Sequence, residues 1–181
     1  MGLDTVEIIM QIEDFFMIQI KDDEAENILT IQDMVNVITE KRKVINQEKE
    51  ISKRIKNKLI EAFIELKLIA FQMKESDFVF NVIPPNPDIW NSIEKMINLR
   101  IPLPRLNGNF FNNPSYKWKE LTLNNLVFVI SSFNYLDLFS KRKPNTQEEV
   151  LFGVAGITIK FIGDPYEISS EKSFVNDLGL N

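Results

Sequence analysis

The amino-acid sequence predicts an all-α fold, and three observations carry that prediction. Apolar residues recur at helical spacing through most of the 181 residues. Threonines stand where helices should begin, at Thr30, Thr122 and Thr146; a Thr side chain there can accept a hydrogen bond from a first-turn N–H that has no helical partner. Proline-bearing breaks at 81–88, 101–117 and 141–145 separate the periodic segments.

Residues 3–16 place Val6, Ile9, Met10, Ile12 and Phe16 near helical spacing, with Asp4, Glu7, Glu13 and Asp14 on other faces. IKDDEAENI reads as a loop and a short helical turn. Thr30 then opens a helix whose apolar stripe is Ile31, Met34, Val35 and Ile38, with Asp33 where a carboxylate suits the positive end of the dipole. From Glu50 to Met73 the series Ile51, Ile55, Leu59, Phe63, Leu66, Ile69 and Met73 predicts one long helix. After NVIPPNPD a helix resumes with Asp88 as its cap, and the Pro/Asn/Gly-rich segment 101–117 reads as a loop. TLNNLVFVI (122–130) repeats the pattern of TIQDMVNVI (30–38). Last, Thr146 and Glu149 form a T-x-x-E capping box ahead of QEEVLFGVAGITIKFIG. Gly153, Gly156 and the β-branched Ile157, Thr158 and Ile159 weaken that helix, so burial of Val150, Leu151, Val154 and Phe161 must hold it; a strand-like run at 156–162 is the alternative.

Composition narrows the function. The chain has no Cys, which excludes disulfides, thiolate chemistry and Cys-ligated zinc, and no His, which excludes His-based acid–base catalysis. A non-enzyme without a metal site is expected. No apolar run approaches the roughly 18 residues that span a bilayer, and the first residues lack the pattern of a signal peptide, so a cytoplasmic location and no membrane span are expected. The net charge of −5 is unevenly spread: residues 1–40 hold ten acids and one base, Lys21, whereas 41–74 hold ten bases and four acids. That basic stretch lacks interleaved aromatics in an acidic chain, which argues against nucleic acid. A helical adaptor that binds an acidic partner through 41–74 stays open.

GLDTVEIIMQIEDFF followed by IQIKDDEAENILTIQDMVNVI resembles, without a gap over residues 2–38, the second to fourth helices of a bacterial acyl carrier protein. YEISSEKSFVNDLGLN at the other end is similar to that family's loop ahead of the DSL attachment motif, and TQEEVLFGVAGITIKFIG stands where its first helix belongs. The two pieces are complementary and occur in permuted order. The resemblance implies an acyl-carrier-like four-helix bundle split between the chain ends, from 1–44 and 144–181. Residues 45–143 form a helical middle region, read either as a degenerate second carrier-like module or as an unrelated insertion. The split module would close within one chain or between two chains as a swapped homodimer, and the chain ends need not be the natural gene boundaries.

The same resemblance implies a non-catalytic partner of acyl-handling enzymes of the fatty acid or polyketide type, which offer basic docking patches. Asp4, Glu7, Glu13 and Asp14 match the partner-facing acids, and Val6, Met10, Ile12 and Phe16 match interior positions. Closure should bring Phe174 and Val150 against Val6 and Met10. Gly2 occupies the position of the attachment serine and has no hydroxyl, so no prosthetic group is expected on this sequence; 4′-phosphopantetheine would follow if a serine were restored. A genuine phosphopantetheine carrier, truncated or permuted at the DSL motif, is the alternative.

Overall fold

The computed structural model of the chain describes residues 3–102 and 120–180. Among them every regular element is helical: α1 (Leu3–Phe16), α2 (Asp22–Ala25), α3 (Ile31–Arg42), α4 (Glu50–Glu65), α5 (Pro87–Ile97), α6 (Leu123–Phe133), α7 (Tyr135–Leu138) and α8 (Gln147–Ile162), with a 3₁₀ turn at Val79–Asn81. The protein is all-α, as its periodicity and caps predict. Most of the expected 101–117 loop lies outside the described residues. No helix among the described residues is long and apolar enough to cross a membrane.

Local chemistry accounts for most boundaries. Thr30 Oγ1 accepts from Asp33 N–H at 3.1 Å, and the Asp33 carboxylate accepts from Thr30 N–H at 2.8 Å, so the box closes with Asp in place of Glu. Thr122 Oγ1 likewise accepts from Asn125 N–H at 3.2 Å at the start of α6. Two expectations need correction. The long helix predicted over 50–73 ends at Glu65, because Lys67 turns left-handed (φ 56°) and Leu68 N–H bonds back to Phe63 O. The cap of α5 is Asn86, which accepts from Asp88 N–H, and not Asp88 itself, which lies in the first turn; Pro87 at the helix start needs no N–H partner.

The strand-like alternative for 156–162 is also overturned, since α8 runs unbroken to Ile162 and ends at left-handed Gly163. Burial decides the matter: ten residues of α8, from Glu149 through Ile159, are buried, so packing outweighs weak propensity. Its two inner glycines are sites of close approach. A Cβ at Gly153 would stand 2.7 Å from the Phe16 ring, and one at Gly156 would collide with Ser132 O and the Tyr135 ring.

The chain divides into two compact units, Met1–Lys49 with Ser132–Asn181, and Glu50–Ser131. In the first, α8 packs on α1, α3 and α7. The tail after α8 is tied to the start of α3: Ile31 N–H donates to Lys172 O, Gln32 N–H to Ser170 O, and Phe174 N–H to Leu29 O. Thr5 Oγ1 reaches Leu180 O at 3.5 Å. In the second unit α4 packs on α5, with Trp90 1% exposed between Phe63 and Phe80 and its Nε1–H donating to Pro84 O at 3.0 Å.

Thr146 caps α8 as expected, but the carboxylate of Glu149 turns elsewhere. It accepts from Asn145 N–H at 2.8 Å and forms a two-pronged ion pair with Arg142. Burial pushes the Glu149 carboxyl up, and the hydrogen bonds from Arg142 and Asn145 outweigh it, leaving it below the usual carboxylate range. For Asp33 burial acts in the same direction and is likewise outweighed, by the Thr30 hydroxyl and by the Thr30 and Leu29 N–H groups. Groups held low in the folded state contribute stability above their unfolded values and lose it as pH falls through the folded ones. Stability should therefore drop on acidification below about pH 4. Glu149→Gln, which discards the charge but keeps the shape, should cost about 2 kcal/mol at neutral pH and flatten that acid limb in urea titrations. An unchanged acid limb would show that the pair contributes nothing.

Candidate docking face

Helix α1 begins at Leu3, and its phase separates its side chains cleanly. Thr5, Ile8, Ile9, Ile12 and Phe16 are buried, one face at helical spacing. The expectation that Val6 and Met10 lie inside is wrong. Val6 is 40% and Met10 58% exposed, whereas Phe174 and Val150 are buried. The inward stripe centres one residue from each, on Thr5 and Ile9, and a one-residue step turns a side chain about 100° around the helix. Ile12 and Phe16 are interior, as the resemblance implies.

The outward face thus holds something sequence reasoning missed. Leu3 (80% exposed), Val6 and Met10 follow one another at spacings of three and four, a row of large apolar side chains left in water. Asp4, Glu7 and Asp14 are exposed on the adjoining row at spacings of three and seven. The signal was present in the sequence, since both rows obey the helical period; what was missing was the phase that sends one row inward and the other out.

Glu13 has a different position. It is half-buried, and its carboxylate accepts from Ile20 N–H at 2.6 Å, which pins the chain after α1 turns left-handed at Met17 (φ 53°). Lys143 closes the same end of α1, donating to Phe15 O at 2.9 Å from 5.5 Å over the Phe15 ring. The acidic character extends over the whole unit, which carries eighteen Asp/Glu against ten Lys/Arg. Among the described residues no group of three or more acids is clustered so as to hold a metal ion.

The basic run 41–74 is shared between the two units, and several of its cations are engaged. Lys41 pairs with Glu24 and Lys56 with Glu75, each at 2.6 Å, and Lys58 donates to Ile97 O. Lys53 and Arg54 are exposed. Gly2 and Asn181, the two sides of the expected attachment position, lie outside the described residues. The flanking Leu3 and Leu180 carry no hydroxyl, and the Thr5 hydroxyl is buried.

No protein-family model and no solved structure matches the chain. An acyl carrier protein of Chloroherpeton thalassium is 56% identical to it over 42 residues, 23% of this chain and 52% of that protein. The chain therefore spans about half the length of that protein. A local segment of this all-helical chain is acyl-carrier-like.

Proposed function

We propose that the first unit is an acyl-carrier-like docking module in permuted order, closed within one chain, with α8 as its first helix and α1 to α3 as the rest. Its role is that of a non-catalytic partner of acyl-handling enzymes in a bacterial cytoplasm. The observation that carries this reading is the apolar row Leu3, Val6 and Met10 beside the acid row Asp4, Glu7 and Asp14 on α1. Such a surface suits a partner with a basic patch around an apolar hollow. The carboxylates speed and orient the encounter, and desolvation of the apolar side chains holds the complex. Glu13 serves the fold and does not belong to this surface, because its carboxylate is committed to Ile20 N–H. The local similarity to an acyl carrier protein supports the choice of partner class.

On this reading the chain carries no prosthetic group, since Gly2 offers no nucleophilic oxygen for a phosphodiester. Incubation with coenzyme A and a promiscuous phosphopantetheinyl transferase should leave the intact mass unchanged. Gly2→Ser should gain one phosphopantetheine. A stoichiometric adduct on the parent chain would establish the alternative of a genuine carrier.

A further inference from the structure

Two long-range patterns recur in the two units with matching geometry. In the first unit Leu29 O accepts from Phe174 N–H (3.0 Å), Ile31 N–H donates to Lys172 O (3.2 Å) and Gln32 N–H donates to Ser170 O (2.9 Å), around an antiparallel bridge between Thr30 and Ser173. In the second, Leu121 O accepts from Val79 N–H (2.9 Å), Leu123 N–H donates to Asp77 O (2.9 Å) and Asn124 N–H donates to Glu75 O (3.0 Å), around an antiparallel bridge between Thr122 and Phe78. Donor, acceptor and spacing agree bond for bond. Thr30 and Thr122 then each cap the helix that follows.

The second pattern is a carboxylate lock. Helix α1 ends at Phe16, Met17 turns left-handed at φ 53°, and Ile20 N–H donates to Glu13. Helix α5 ends at Ile97, Asn98 turns left-handed at φ 54°, and Ile101 N–H donates to Glu94 at 2.8 Å. Laying Glu13 on Glu94 also lays Ile9 on Trp90, Ile12 on Ile93, Phe16 on Ile97 and Ile20 on Ile101, and all eight are buried. Helices α8 and α4 complete the correspondence: each has 16 residues, each is followed within two residues by a left-handed turn, and α8 packs on α1 as α4 packs on α5. Capped amphipathic helices converge readily one at a time. Convergence does not also reproduce their distant hydrogen-bond partners.

We propose that Glu50–Ser131 is a second module on the plan of the first, unpermuted, with α4, α5 and α6 as its first, second and last helices, and that it has lost the docking face. The matched register shows the loss. Leu3 begins α1 ten residues before Glu13, but Pro87 begins α5 only seven before Glu94, so one turn is missing. Val6, Met10 and Asp14 fall on Pro87, Asn91 and Lys95, while Leu3 and Asp4 fall on Pro84 and Pro85, ahead of the helix. Of the residues in those two rows, Glu7 alone keeps an acidic counterpart, Asp88. The unit as a whole has eleven Lys/Arg against eight Asp/Glu, the opposite balance from the first. A basic enzyme patch that docks on α1 therefore meets neither row on α5. The repeat stands on hydrogen bonds; only the identity of the docking enzyme rests on the function proposed above.

Amide exchange by NMR on the full chain tests the repeat. Ile20 and Ile101 should both be protected; Glu13→Ala should speed exchange at Ile20 about tenfold, Glu94→Ala should do the same at Ile101, and each should spare the other. The Gln variants, which keep one acceptor oxygen, should recover part of the protection. Ile101 exchanging at an unprotected rate in the parent chain would overturn the repeat. Titration of the same labelled chain with a phosphopantetheinyl transferase should shift resonances of Leu3–Phe16 and leave Pro87–Ile97 unmoved. Comparable shifts on α5 would overturn the loss of its docking face. Shifts on neither helix would refute the carrier reading, with the exchange measurement still deciding the repeat.

Discussion

Gly156→Ala should destabilise the first unit by about 2 kcal/mol, although alanine is the better helix former. Two effects oppose each other. Replacing an interior helical glycine by alanine ordinarily gains about 1 kcal/mol from backbone entropy. Here the added methyl meets the backbone carbonyl of Ser132 and the ring of Tyr135, closer than real Cβ contacts come. A backbone oxygen cannot rotate aside, and Tyr135 is itself buried and set edge-on to Phe15, their centroids 5.2 Å apart. Overpacking of this kind costs about 1–3 kcal/mol or more, so it prevails. In a thermal melt the loss should lower Tm by about 10 °C for a unit of this size. Gly153→Ala provides the contrast, because its nearest neighbours are the ends of the Phe16 and Phe15 rings at 2.7 and 3.0 Å, and side chains yield more than backbone does. Its loss should be smaller. A Gly156→Ala chain as stable as the parent would mean that α8 does not approach Ser132 so closely.

Met10→Glu should have the reverse profile, with folding intact and docking impaired. Met10 is 58% exposed, so the substitution removes no core packing. It places a charge at one end of the row Leu3, Val6 and Met10, where a partner must exclude water. Loss of an apolar anchor that a partner desolvates costs about 2 kcal/mol or more in binding, a weakening of roughly thirtyfold. Added salt distinguishes this from loss of an acid. Glu7→Lys should slow association and reduce its dependence on ionic strength, while Met10→Glu should mainly speed dissociation. Surface plasmon resonance against a carrier-dependent enzyme at two salt concentrations reads both quantities. Equal binding by parent and Met10→Glu chains would remove the apolar row from the docking face.

The largest departures from expectation share one cause. Val6 and Met10 have the period of a buried stripe, and so do Thr5, Ile9 and Ile12, one residue out of step. Periodicity states that α1 has an apolar side; it does not state which of two adjacent rows meets α8. Similarly, the apolar series continues past Glu65 to Met73, and Ile69 and Met73 are indeed buried, but after a left-handed turn at Lys67 that periodicity does not register. Glu149 has the spacing of a capping box, yet Arg142 and Asn145 take its carboxylate.

From the sequence alone follow the all-α class, the caps at Thr30, Thr122 and Thr146, and the absence of thiol and imidazole chemistry. These depend on short-range sterics, first-turn N–H groups and residue inventory, which are local or compositional. Tertiary structure decided which face of α1 is wet, why α8 stays helical through its glycines and β-branched run, and that Glu13 and Glu94 hold the same lock. Each of those turns on which distant segment lies opposite: α8 against α1, Ser132 against Gly156, the chain after a left-handed turn against a carboxylate seven residues earlier. Contacts of that kind arise only when the chain has folded back on itself, and helical period alone cannot choose between two faces one residue apart.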